Sequence, residues 1–249
     1  AGMAVFGYAL LLGPVLATLV LRLQNALGIE LAPVPFLLLA ACVTFLVGVA
    51  WWRNRCRIGA DRPVLQDGWS ALTWPARIAS ALLLLMILLH LILPAVEAFL
   101  RPLYGWDATM HWATKSRVWF DQGRLVPFVD NQEWLRQAPG SLVFTDNHPA
   151  YPPTIPLLQL WMSVAFQRWS DTLINLPWPV LQAALVLIFF GESRRAGAPL
   201  LTALVFTCLL VSLPLLNTHV ALAGYADFPL GVCVLGALRL RERIAARQP

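Results

Sequence analysis

Apolar residues run through this chain in long blocks, joined by short polar or arginine-rich pieces. The first three blocks are "MAVFGYALLLGPVLATLVL" at 3–21, "PVPFLLLAACVTFLVGVAWW" at 33–52 and "ASALLLLMILLHLILPAVEAF" at 79–99. Three more fall at roughly 173–190, 198–216 and 228–240. A bilayer core takes ~20 apolar residues of helix to cross. The pattern predicts an all-α fold, a polytopic transmembrane helical bundle of about six spans. A polar stretch at 100–153 separates the third block from the rest and is expected to hold juxtamembrane helices. A shorter apolar piece, "TIPLLQLWMSVAFQRW" at 154–169, is short for a span. It reads as a helix lying in or dipping into the interface, with a full crossing as the second choice.

Composition agrees. Of 249 residues, 59% are hydrophobic and 12% charged, about half the charged share of a soluble domain. Eleven Trp suit the headgroup zone, and nineteen Pro point to broken helices and stiff loops. The net charge of +5 sits at the ends of apolar blocks, which marks topology rather than nucleic-acid binding. Cys42, Cys208 and Cys233 lie in apolar segments and Cys56 in a basic loop, with no CxxC. No disulfide and no structural zinc are expected. The first block lacks a charged leader, so no cleavable signal peptide is expected. The whole chain, 1–249, reads as a single membrane domain. Two N-terminal spans and a basic loop fill 1–76, and 77–249 carries the long loop.

Arginines orient the spans. Arg53, Arg55, Arg57 and Arg62 place their loop in the cytoplasm, as do Arg194 and Arg195, and Arg239, Arg241, Arg243 and Arg247. The 100–153 loop and "NTHVALAGYAD" then face the exterior. The expected location is a bacterial inner membrane, with the active face periplasmic.

Three exterior stretches carry ionisable groups. In "DATMHWATKSRVWF", taken as a helix, Asp107, His111 and Lys115 stand at i, i+4 and i+8 on one face, and Ala108, Trp112 and Trp119 line another. A helix of that kind lies along a membrane surface, with Asp107 in the first turn where the helix dipole favours an anion. The plain alternative is an interfacial helix with a capping Asp. In "TDNHPAYPP" two prolines stiffen a loop able to hold His148 and Tyr151 over a site; otherwise it is a turn with a solvated His. In "HVALAGYADFPLG" Asp227 stands at the mouth of the last block beside Tyr225, either as a costly acid in need of a partner or as a helix cap before Pro229. His90 and Glu97 lie in the third block, where His90 reads as a hydrogen-bonded core residue. Two carboxylates on one membrane face suit general-base work or a divalent cation.

The stretches "YGWDATMHWATKSRVWFDQG", "HPAYPP" and "GYADFPLG", in that order and topology, resemble the multispanning glycosyltransferases of the GT-C fold. The nearest look-alikes are the bacterial relatives of the protein mannosyltransferases and the aminoarabinose transferase of lipid A. The resemblance covers roughly 79–240. It implies an inverting enzyme that moves a sugar from a polyprenyl-phosphate donor to an exterior glycan, lipid or protein acceptor. It places Asp107 where the loop aspartate deprotonates or orients the acceptor hydroxyl. It makes Asp227 a second acid, joining Asp107 at a divalent cation, Mg or Mn, near the donor phosphate. His111, His148, Tyr151 and Tyr225 would line the substrate pocket, and Lys115 or Arg117 would face the phosphate. Two rivals stand beside it. A non-catalytic membrane scaffold would keep the fold without turnover, and a lipid-linked sugar transporter would carry its ionisable groups at mid-bilayer depth. Here they cluster at the outer mouth.

Overall fold

The structure is a computed structural model that describes residues 2–54 and 68–245. Arg55, Cys56, Arg57, Arg62 and Arg247, which entered the topology and cysteine readings, lie outside those residues. The elements are helices α1 (Gly2–Ala26), α2 (Pro33–Asn54) and α3 (Trp74–Leu100), then a π-helical turn (Ala108–Ala113) leading into α4 (Thr114–Gln122). A two-residue strand β1 (Phe128–Val129), a short α5 (Asn131–Trp134) and β2 (Phe144–Thr145) follow. The chain continues through α6 (Thr154–Phe166), α7 (Pro177–Arg195), α8 (Leu200–Val211), α9 (Pro214–Ala221) and α10 (Asp227–Ala245).

The all-α expectation holds apart from the small β1–β2 pair. Several long apolar helices make the chain compatible with a membrane protein. Four stretches are long and apolar enough to cross a bilayer: α1, α2 from Pro33 to Ala50, α3, and Leu173–Arg195. α8 and α9 make a fifth if their 59° bend is read as one broken span. The bend sits at Pro214, which opens α9. The amide of Asn217 reaches back across it, donating to the Val211 carbonyl at 2.8 Å and the Leu213 carbonyl at 3.3 Å. α10, where the sixth apolar block stood, is not among the described helices long and apolar enough to cross. Arg239, Arg241 and Glu242 occupy its last turns, and Arg239 pairs with Glu242 at 2.9 Å.

Backbone packing divides the chain into two compact units. One comprises 1–13, 61–101 and 178–249, and the other 14–60 and 102–177. In the first unit α3 packs on α8 and α9, around Ile87, Val186, Leu204, Cys208 and Val211. Glycines bring α1 against α7. A Cβ on Gly7 would stand 2.8 Å from the Ile188 nitrogen, and one on Gly191 would stand 2.6 Å from the Ala4 nitrogen. Small residues permit that approach of backbones. Pro94 lies inside α3 and has no N–H to offer the carbonyl four residues back, that of His90. Gln182, fully buried on α7, donates Nε2 to that carbonyl at 3.1 Å. The His90 ring bonds within its own helix, Nδ1 to the Met86 carbonyl at 2.8 Å.

In the second unit α4 packs on α6, around Leu21, Leu31, Phe36, Trp119, Val126, Leu157 and Leu160. α6 forms within the short apolar piece at 154–169. Its thirteen residues reach only about 20 Å, and Ile155, Leu157, Leu158, Leu160 and Val164 are all buried. It is a core helix. Gly123 ends α4 in the left-handed region, φ 61°, and its carbonyl accepts the Leu31 N–H at 2.8 Å. That turn carries the chain towards β1.

Candidate functional site

The chemistry of the second unit gathers where the π turn and α4 meet the segment after β2. β1 and β2 pair in parallel, Phe128 with Phe144 and Val129 with Thr145. The Asp146 N–H continues the ladder to the Val129 carbonyl at 2.9 Å, which fixes where the Asp146 side chain begins. Its carboxylate takes two partners. His111 Nδ1 lies 2.8 Å from Oδ1, and Lys115 Nζ lies 2.5 Å from Oδ2. All three side chains are less than a tenth exposed. Lys115 also donates to the His148 carbonyl at 3.0 Å.

Burial alone would push the Asp146 carboxyl up. The hydrogen bonds from Lys115 and His111, a bond to the His148 backbone and the Lys115 charge outweigh it and hold the group below the ordinary carboxylate range. An ionised carboxylate only accepts, so the His111 Nδ1 beside it carries the proton. Nε2 makes no hydrogen bond among the described residues.

Aromatic rings roof this group. His148 stacks on Tyr151 with centroids 4.7 Å apart and planes 15° apart. Tyr151 also stacks on buried Trp112 at 5.3 Å. The His111 ring meets His148 edge-on at 4.9 Å and Tyr151 at 5.8 Å. His148 and Tyr151 are exposed, so they form the open side of the cluster.

His111 and Lys115 are buried, as are Ala108, Trp112 and Trp119 on the other face. His111 and Lys115 stay together as their spacing predicts, but they point inward to Asp146. Asp107 does not join them. The backbone is π-helical from Ala108 to Ala113, and π turns recur at functional sites. Asp107 stands just before that turn, exposed, with no cap bond from its side chain. Its carboxylate has no hydrogen bond or ion pair among the described residues. Tyr104 and Trp106 beside it are 78% and 70% exposed, as membrane-edge aromatics are.

Arg117, half exposed, pairs with Asp121 at 2.8 Å and lies 5.3 Å over the Trp169 ring. With Lys115 tied to Asp146, Arg117 is the one of the two that faces solvent.

Tyr225 and Asp227 belong to the first unit. Trp178, fully buried, donates Nε1 to the Tyr225 carbonyl at 3.1 Å, and the Tyr225 ring meets His219 edge-on at 6.0 Å. Asp227 is the exposed first residue of α10, the position where an acid complements the helix dipole. Asp107 lies in the other unit. Among the described residues no three His, Cys, Asp or Glu side chains stand together as cation ligands.

Sequence reasoning missed Asp146. A signal was there: two bases one turn apart, His111 and Lys115, need an acid if they are buried, and Asp146 opens the His/Pro/Tyr element already singled out. No family model, no curated protein and no solved structure matches the chain.

Proposed function

We propose that the chain is a multi-pass inner-membrane glycosyltransferase that moves a sugar from a polyprenyl-phosphate donor to a hydroxyl acceptor at the exterior face, with inversion. One observation carries the reading. Asp107 presents an unpaired, exposed carboxylate at the head of a helix whose next turns are pinned through the buried His111–Asp146–Lys115 group. A general base must be free to meet its substrate yet held on something rigid, and Asp107 meets both needs.

In the proposed step Asp107 accepts the proton of the acceptor hydroxyl. The oxygen attacks the anomeric carbon, and the bond from that carbon to the phosphate oxygen breaks with its electron pair leaving on phosphate. Arg117, half exposed and paired only with exposed Asp121, would meet the departing charge. The His148–Tyr151 stack offers a ring face for a sugar.

The test is transfer from a labelled polyprenyl-phosphate sugar by purified protein in lipid, comparing wild type with Asp107→Asn. Turnover should fall by about a hundredfold or more. Equal turnover in the two proteins would sink the role of Asp107, and no turnover in either would sink the reaction.

A further inference from the structure

We infer that His111 is a proton acceptor in its own right, presented by Asp146 as an imidazole–carboxylate dyad that is open at Nε2. Its target is a hydroxyl of a polyol ring resting against the His148–Tyr151 stack.

Three observations carry this. First, Asp146 Oδ1 lies 2.8 Å from His111 Nδ1. A carboxylate on one ring nitrogen puts the proton there, leaves the lone pair on the other, and stabilises the imidazolium formed when that lone pair takes a proton. Second, Asp146 is fixed from every side. β2 sets its backbone, Lys115 occupies Oδ2 at 2.5 Å, and Lys115 is itself anchored to the His148 carbonyl. The dyad is therefore preorganised. Third, Nε2 makes no hydrogen bond among the described residues, and the rings around His111 are those of exposed His148 and Tyr151. A structural histidine would be expected to use both nitrogens when buried.

In the step, the hydroxyl proton passes to Nε2 and the O–H bonding pair stays on oxygen. The imidazolium charge formed rests beside the Asp146 carboxylate. Asp146 touches no substrate; it is a positioning residue acting through His111. The inference does not rest on sugar transfer or on Asp107, and its test reads imidazole chemistry alone, so either idea stands if the other fails.

The experiment uses the full chain in lipid with nitrogen-15 histidine. At about pH 8 His111 should show a protonated Nδ1 and a bare Nε2. Diethyl pyrocarbonate, followed by mass spectrometry of the His111 peptide, should acylate that nitrogen. Asp146→Asn should slow acylation by about tenfold, while the rate at exposed His148 holds. The inference is overturned by a bare Nδ1 in the wild type, by both nitrogens protonated at that pH, or by an unchanged acylation rate at His111 in the variant. The wild-type spectrum decides the tautomer by itself should Asp146→Asn fail to fold.

Discussion

Gln182 holds the carbonyl of His90, the acceptor that an N–H at position 94 would have taken. The amide reaches it at 3.1 Å, and Pro94 is the reason it is available. In an apolar surrounding a bare carbonyl costs several kcal/mol, so α3 keeps its proline because α7 brings a donor.

Gln182→Leu should therefore destabilise the protein, by roughly 0.6–2 kcal/mol as membrane hydrogen bonds go. Pro94→Ala restores an N–H beside the same carbonyl, so the cost of Gln182→Leu should shrink in the Pro94→Ala background. Thermal unfolding of the four proteins in one lipid gives the cycle. Strict additivity would show that the bond and the proline are unrelated.

The glycine contacts predict opposite signs for one substitution. Gly→Ala in a helix ordinarily gains up to about 1 kcal/mol. At Gly231 in α10 nothing stands within 4 Å of a new Cβ, so Gly231→Ala should stabilise slightly. At Gly191 the new atom would stand 2.6 Å from the Ala4 backbone nitrogen, and backbone cannot step aside. Gly191→Ala should cost about 1–3 kcal/mol. Chemical denaturation compares the two, and a stabilising Gly191→Ala would overturn the close packing of α1 on α7.

Asp146 should dominate the acid limb of stability. Its carboxyl is held below its ordinary value in the folded chain. It thus stabilises the fold above the unfolded carboxyl value of about 3.9, and that contribution drains away as pH falls through the folded value. Asp146→Asn should flatten the loss of stability below about pH 4. It also leaves the Lys115 charge, 3% exposed, without its partner, so at neutral pH it should cost about 3–5 kcal/mol. Adding Lys115→Met should recover much of that loss. An acid limb unchanged by Asp146→Asn would show that the cluster does not govern it.

Much of this was legible in sequence. The blocks at 3–21, 33–52 and 79–99 became α1, α2 and α3, because apolar length is a local property. The spacing of His111 and Lys115 put them on one face because helical periodicity is local too. What that face meets was not legible. Asp146 lies thirty-five residues from His111, joined to it through a two-residue parallel ladder that leaves almost no pattern. The π turn at Ala108–Ala113 breaks no composition rule either, so nothing announced it in advance. The short length of α6 was legible too, but its burial was not, because that depends on α4 packing over it.

Asp107 and Lys115 separate chemistry from scaffolding within a few residues of chain. Asp107 is exposed and its carboxylate bonds nothing among the described residues, so Asp107→Asn should leave thermal stability within about 0.5 kcal/mol of wild type. If Asp107 is the base, the same change should lower turnover by about a hundredfold or more. Lys115→Met does the reverse. It removes a buried cation, leaves the Asp146 carboxylate with His111 and the His148 backbone, and should lower the melting temperature. In the protein that stays folded, turnover should fall far less than in Asp107→Asn. Measuring melting temperature and transfer on the same preparations puts each residue on one axis or the other. A Lys115→Met protein that is fully stable yet inactive would make Lys115 a substrate contact, and the division of labour drawn from its burial would be wrong.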